Sequence, residues 1–225
     1  MTMIHAGISE ADHAAINHAV QQAESQTSAE IIPVIAASSG RYDRSEDIAG
    51  LWLALLGLVV VWVGFANTAA APDSWAQPSP YWELVAYLLT VVVGFLLGAL
   101  LAGRSDVIRR LLTPAAQLRD EVQSRARAVF FDQRVHHTAG STGVLVYVSV
   151  LEHRAVVLTD QRVLERVGQS QIDAWCDEFT HRLKGGPLSA ALCETIHSIG
   201  QTLAQSLPRT ADDVNELPDA LILLA

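Results

Sequence analysis

Two long apolar runs occupy the middle third of the chain. From Ile48 to Pro72 no side chain ionises, and from Tyr81 to Gly103 the single carboxylate is Glu83, near the start. About 20 apolar residues cross a hydrocarbon core of about 30 Å, so the pattern predicts two membrane helices, 48–66 and 84–103, joined by a loop over 67–80. Two such runs in 225 residues leave too little polar sequence to cover both as core helices of a soluble protein. Tyr81 and Trp82 fit an interfacial belt. Arg41 and Arg44 precede the first run, Arg104, Arg109, Arg110 and Arg119 follow the second, and the loop has no Lys or Arg. The positive-inside rule then puts both termini on the cytoplasmic side of the membrane and the loop outside. Gly50, Gly57 and Gly64 recur every seventh residue, and Gly94, Gly98 and Ala102 form a small-xxx-small stripe. Both patterns suit close helix packing, within one hairpin or between two chains. No ionisable group lies near mid-membrane, which argues against a channel or carrier.

Outside these runs the periodicity changes. Ser9 followed by Asp12, with Ile8 before and Ile16, Val20 and Ala23 after, predicts a capped helix from Ser9 to about Ser25. Glu30 to Ala36 reads as a strand, placed at an edge or locally unpaired because Pro33 cannot donate to a ladder. Thr113-Pro114 starts an amphipathic helix running to about His137. Gly143 to Leu151 and Arg154 to Thr159 predict a β-hairpin; Glu152-His153 is poor chemistry for a two-residue turn, which favours a longer or bulged loop. Two more amphipathic helices follow, one carrying Ile172, Trp175, Cys176, Phe179 and Leu183, the next Leu188 to Leu203, and Leu221 to Leu224 suits a terminal strand.

The N-terminal helix and strand cannot enclose a core alone, and the C-terminal strands need a partner. Joining them gives one α/β domain, a three-layer-like sandwich of a small mixed sheet covered by helices. Its parts are 1–45 and 113–225, with the transmembrane hairpin, 46–112, inserted after the first strand.

Composition adds exclusions. The mean hydropathy is positive because of the two runs, and the net charge of −9 with no basic stripe excludes a general nucleic-acid surface. Cys176 and Cys193 form neither a CxxC nor a disulfide framework and read as thiols. Met1 to Glu10 has no basic or apolar signal-peptide region, so the first membrane helix is expected to serve as the insertion signal.

The segments Ser28 to Ala36, Thr142 to Asp160 and Asn215-Glu-Leu-Pro-Asp219 together resemble the TPM-domain family, in the bacterial branch whose membrane helices interrupt the domain. The resemblance spans nearly all of the soluble sequence. It implies an α/β sandwich, and relatives include weak acid phosphatases, calcium binders and assembly or repair factors of membrane complexes. Two positions depart from the family: Thr142 replaces the acidic or amide residue usual before the glycine, and Asp160-Gln-Arg-Val163 replaces a glycine-aromatic-glycine stretch.

Candidate chemistry is sparse. If the first strand runs parallel to the hairpin's first strand, Glu30, Thr142 and Asp160 meet at one sheet edge, where oxygen ligands could hold Ca²⁺ or Mg²⁺. Two carboxylates are few for such a site, and strand-end and turn roles explain them equally. Asp177 and His181, like Cys193 and His197, have a spacing compatible with zinc that chance also produces. His136-His137 suit a solvated helix end, and Glu152 with Arg154 suits a surface ion pair across the turn. No catalytic residue can be named. The expectation is a membrane-anchored interaction domain, an assembly or repair factor contacting the lipid bilayer and other membrane proteins and requiring no cofactor. The alternatives are a weak metal-dependent phosphatase using Glu30 and Asp160, and a membrane-embedded homo-oligomer.

Overall fold

In the computed structural model, residues 8–69, 80–210, 215–218 and 220–224 are described. Most of the expected loop 67–80, with Pro72 and Pro78, lies outside them, as does Asp219. The chain divides into two compact units, one formed by residues 1–40 and 118–225, the other by 41–117.

The first unit is an α/β domain. Helix α1 (Glu10–Glu24) opens with a full capping box: the Ser9 hydroxyl accepts from Asp12 N–H, and Asp12 accepts from Ser9 N–H. The strands β1 (Glu30–Ala36), β2 (Gly143–Ser149), β3 (Arg154–Thr159) and β4 (Ile222–Leu224) form one sheet in the order β3-β2-β1-β4. β1 is parallel to β2 and β4, and β3 is antiparallel to β2.

Alternate strand residues face opposite layers. Ile31, Ile35, Val144, Val146 and Val157 pack with α1 and with the helices α6 (Gln161–Val167), α7 (Gln169–Gly185) and α8 (Leu188–Ser206). Ile32, Val34, Leu145 and Tyr147 pack with Val122, Ala126, Val129 and Phe130 of α5 (Ala115–Asp132). The sheet therefore has helices on both faces, and β1 and β2, buried at every position, read as apolar runs instead of alternating ones.

Among the local expectations, a locally unpaired Pro33 and a hairpin loop longer than two residues are met, and others are revised. β1 is an inner strand, not an edge, yet Pro33 breaks no ladder. Ile31 N–H turns away from β2 to Glu24 Oε1 at 2.7 Å, so Pro33 faces that same side, where β4 pairs only Val34 to Ala36. The helix expected to reach His137 stops at Asp132, because Arg134 takes a left-handed conformation (φ 55°). Arg134 N–H bonds the Phe131 carbonyl and Val135 N–H the Phe130 carbonyl, the paired bonds of a Schellman stop. β2 ends at Ser149, not Leu151, and the hairpin loop is longer than two residues, with His153 at φ 52°. The short helices α4 (Asp106–Leu112) and α6 carry no apolar period long enough to announce them.

The second unit holds α2 (Asp43–Ala69) and α3 (Pro80–Arg104). Residues Arg44–Asn67 and Tyr81–Arg104 are long and apolar enough to cross a membrane. Within an 18-residue apolar stretch of each span only 11% and 6% of the residues are buried, which sets them apart from core helices of a soluble protein.

Candidate functional site

Within the hairpin, small residues set the approach of the two helices. A Cβ added at Gly98 would lie 2.6 Å from the Ala49 carbonyl, at Gly94 2.9 Å from Ala54 Cα, and at Gly50 2.9 Å from Phe95. At Gly57 it would meet Thr90 at 2.8 Å, whereas at Gly64 nothing lies within 4 Å. Ala54 is buried in this contact against Gly94, and Ala102 is buried as well. Arg109 and Glu46 form an ion pair at 2.6 Å.

In the α/β unit the parallel strands bring Glu30, Thr142 and Asp160 to the same end of the sheet. Glu30 lies opposite Gly143, and Asp160 N–H donates to the Gly143 carbonyl at 2.8 Å. Each of the three has a local role. Glu30 Oε1 accepts from Glu216 N–H at 3.3 Å, Thr142 N–H donates to the Thr138 hydroxyl, and Asp160 caps α6 by accepting from Gln161 N–H at 2.7 Å. Among the described residues no group of three or more His, Cys, Asp and Glu side chains is placed to hold a metal ion. His197 instead contacts Gln201 at 2.8 Å, and His136 lies against Phe131 with ring centroids 4.9 Å apart and the planes inclined by 60°. Cys176 accepts from Val157 N–H at 3.2 Å, and burial raises both its thiol and that of Cys193 above their usual value. Raised thiols are poor nucleophiles at neutral pH.

The opposite end of the sheet holds a polar cluster that was not foreseen. Among the described residues no ion pair joins Glu152 to Arg154, and Glu152 is 4% exposed. Its carboxylate accepts from Ser39 N–H at 2.8 Å and from the Ser149 hydroxyl. Ser39 Oγ lies 2.9 Å from the Tyr147 hydroxyl and donates to Ser149 Oγ at 2.8 Å. The bonds can run in one sense, Tyr147 to Ser39 to Ser149 to Glu152, ending on the carboxylate. Burial, chiefly, raises the Tyr147 hydroxyl above its usual value. Ser149 is fully buried, so the cluster is a fastening of the sheet's end and not an accessible nucleophile. It fixes the segment just before the chain leaves the domain after Gly40. In the sequence it shows only as Ser149 closing an apolar strand with Glu152 three residues on, a spacing that does not tell a buried anchor from a surface pair.

No protein-family model and no curated protein matches the sequence. Among solved structures, the NMR structure of the BA42 protein from the psychrophilic bacterium Bizionia argentinensis is similar, with a TM-score of 0.58 and 18% identity over 99% of this chain and 99% of that one. At that identity the likeness carries the fold and nothing of the chemistry. The chain thus has a mixed four-stranded sheet surrounded by helices, in a fold similar to that of a bacterial protein, and two of its own helices are of membrane-spanning length.

Proposed function

We propose that this chain is a membrane-anchored interaction domain of the TPM type, held on the cytoplasmic face of a bacterial inner membrane by the α2–α3 hairpin and acting on other membrane proteins as an assembly or repair factor. The observation that carries the reading is the apolar outer surface of the hairpin. Leu56, Val60, Leu96 and Leu100 are each more than half exposed, and burying such side chains in lipid is favourable by about 1.5–3 kcal/mol each. The arginines flanking the two spans support the orientation. The polar clusters of the α/β unit are used up in holding strands and helix ends, which suits a binding role. With no metal-ligating group among the described residues, the phosphatase reading is not favoured.

The test has two parts. Alkaline carbonate should leave the chain in the membrane pellet, and reporters placed in the loop and after Ala225 should give external and cytoplasmic signals respectively. Cross-linking in native membranes should then capture membrane proteins through the α/β unit. Release by carbonate, or an external C-terminus, refutes the anchoring and its orientation; cross-links confined to the hairpin refute the interaction role.

A further inference from the structure

β3 is an edge strand. Because Asp160 N–H bonds the Gly143 carbonyl, the antiparallel alternation turns Arg154, Val156 and Leu158 toward β2 and directs the N–H and C=O groups of Ala155, Val157 and Thr159 outward. A groove of about 570 Å³ follows this outer edge, walled by α5 on one side and α7 on the other. The one outward donor seen in use, Val157 N–H, goes to Cys176 Sγ, a weak acceptor that a peptide carbonyl can replace. The six residues of β3 span about 20 Å at about 3.3 Å each, room for five or six residues of extended chain.

The two walls differ. Arg119, Gln123 and Arg127 stand at i, i+4 and i+8 on α5, and Arg154 shares the α5 face of the sheet with Val156 and Leu158. None of the three arginines takes part in an ion pair among the described residues. The opposite side offers Leu164 of α6, which is exposed, and the buried flank of Ile172 of α7, with Asp173 as the groove's carboxylate. On a chain of net charge −9 this is a locally positive strip, with apolar surface opposite.

We propose that the outer edge of β3 docks an extended acidic segment of a partner protein, which adds to the sheet as a fifth strand. Its alternate acidic side chains face Arg119, Arg127 and Arg154, and its apolar ones face Ile172 and Leu164. Main-chain pairing supplies the attraction, and the alternation of charge supplies the choice of partner. This rests on the reading of the domain as an interaction module and names the surface it would use.

The experiment measures fluorescence anisotropy of labelled Glu-Val-Glu-Val-Glu-Val peptide with the full chain in detergent micelles. The acidic peptide should bind about tenfold or more tightly than Lys-Val-Lys-Val-Lys-Val, and the Arg119→Glu/Arg127→Glu variant should reverse the preference. Hydrogen exchange should show Ala155 and Thr159 amides protected by the peptide. The exposure of both arginines makes the double variant one that folds. Equal binding of a peptide with proline at each valine would mean that the arginines take any anion. Chain dimers that dissociate in the variant would put a second copy in the groove. Either result, or indifference to the charge reversal, overturns the proposal. If native cross-links to partners persist unchanged in the variant, the interaction reading stands and only this groove falls.

Discussion

Replacing Gly143 by alanine puts the close approach at the heart of the α/β unit to a direct test. Gly143 begins β2, opposite Glu30 on one side and bonded to Asp160 on the other. A Cβ built on it would lie 2.0 Å from the Val135 carbonyl oxygen and 2.8 Å from Val135 Cγ1. Carbon and carbonyl oxygen ordinarily meet at about 3.3 Å, so something must move by more than about 1 Å. Neither side gives easily. Val135 is fully buried and its N–H is tied to Phe130 at the end of α5, while the Gly143 carbonyl is tied to Asp160. Overpacking that forces backbone shifts costs about 1–3 kcal/mol, and this contact belongs at the upper end. Alanine returns at most about 1 kcal/mol through the lower entropy of its unfolded chain. A net loss of about 2–2.5 kcal/mol should lower the melting temperature by about 4–10 °C for a domain of this size. The assay is thermal unfolding of the full chain in detergent, with hydrogen exchange at β1 and β2 amides reporting on the α/β unit. Gly185→Ala, where nothing lies within 4 Å, serves as the control and should be neutral or slightly stabilising. An unchanged melting temperature in Gly143→Ala would refute the packing of Val135 over the strand.

Glu152→Ala should destabilise the α/β unit by about 2–3 kcal/mol in chemical denaturation, because it strands the Ser39 N–H and the Ser149 hydroxyl in a buried site; a loss below about 0.5 kcal/mol would return Glu152 to the surface role first expected of it. Arg134→Gly should stabilise by about 1 kcal/mol by relieving the left-handed backbone (φ 55°) that ends α5, and a loss of stability would contradict the Schellman stop. The hydrogen bonds from Ser189 and then Ser9 hold the Asp12 carboxyl at about 2, below its usual 3.8. A depressed carboxyl stabilises the folded state above its unfolded value and loses that contribution as pH falls through the folded one. Amide protection in the first turn of α1 should therefore decline between about pH 4 and pH 2, and the decline should vanish in Asp12→Asn. Gly98→Leu should push α2 and α3 apart, since even a Cβ would meet the Ala49 carbonyl at 2.6 Å; protease resistance of the detergent-solubilised hairpin should fall, while Gly64→Leu should leave it unchanged.

Features that depend on near neighbours in the chain could be read without a structure. The apolar runs of α2 and α3, the capping box of Ser9 and Asp12, and the amphipathic faces of α7 and α8 are local patterns, because helix geometry alone sets which residues share a face. That the N-terminal helix and strand share one core with the C-terminal strands also followed from the demand that two incomplete pieces complete each other; that β1 runs parallel to β2, which seats Glu30 near Asp160, stood in the sequence only as a condition and is decided by the fold. What each polar residue does with its neighbours did not follow. Pro33 is accepted inside the sheet because β4, which begins at Ile222 near the far end of the chain, stops short of it. Glu152 carries no mark in the sequence distinguishing a surface pair from a buried anchor; burial depends on where the end of β1 comes to rest. The arginine strip beside β3 joins α5 to a strand from the far side of the hairpin loop, and no linear spacing contains it. Sequence determined the long elements and the presence of two helices suited to a membrane, since periodicity and apolar length are properties of the chain itself. Tertiary structure alone decided which carboxylates are buried, which strand edge stays open and which charges face it, because those depend on contacts between residues distant in the chain.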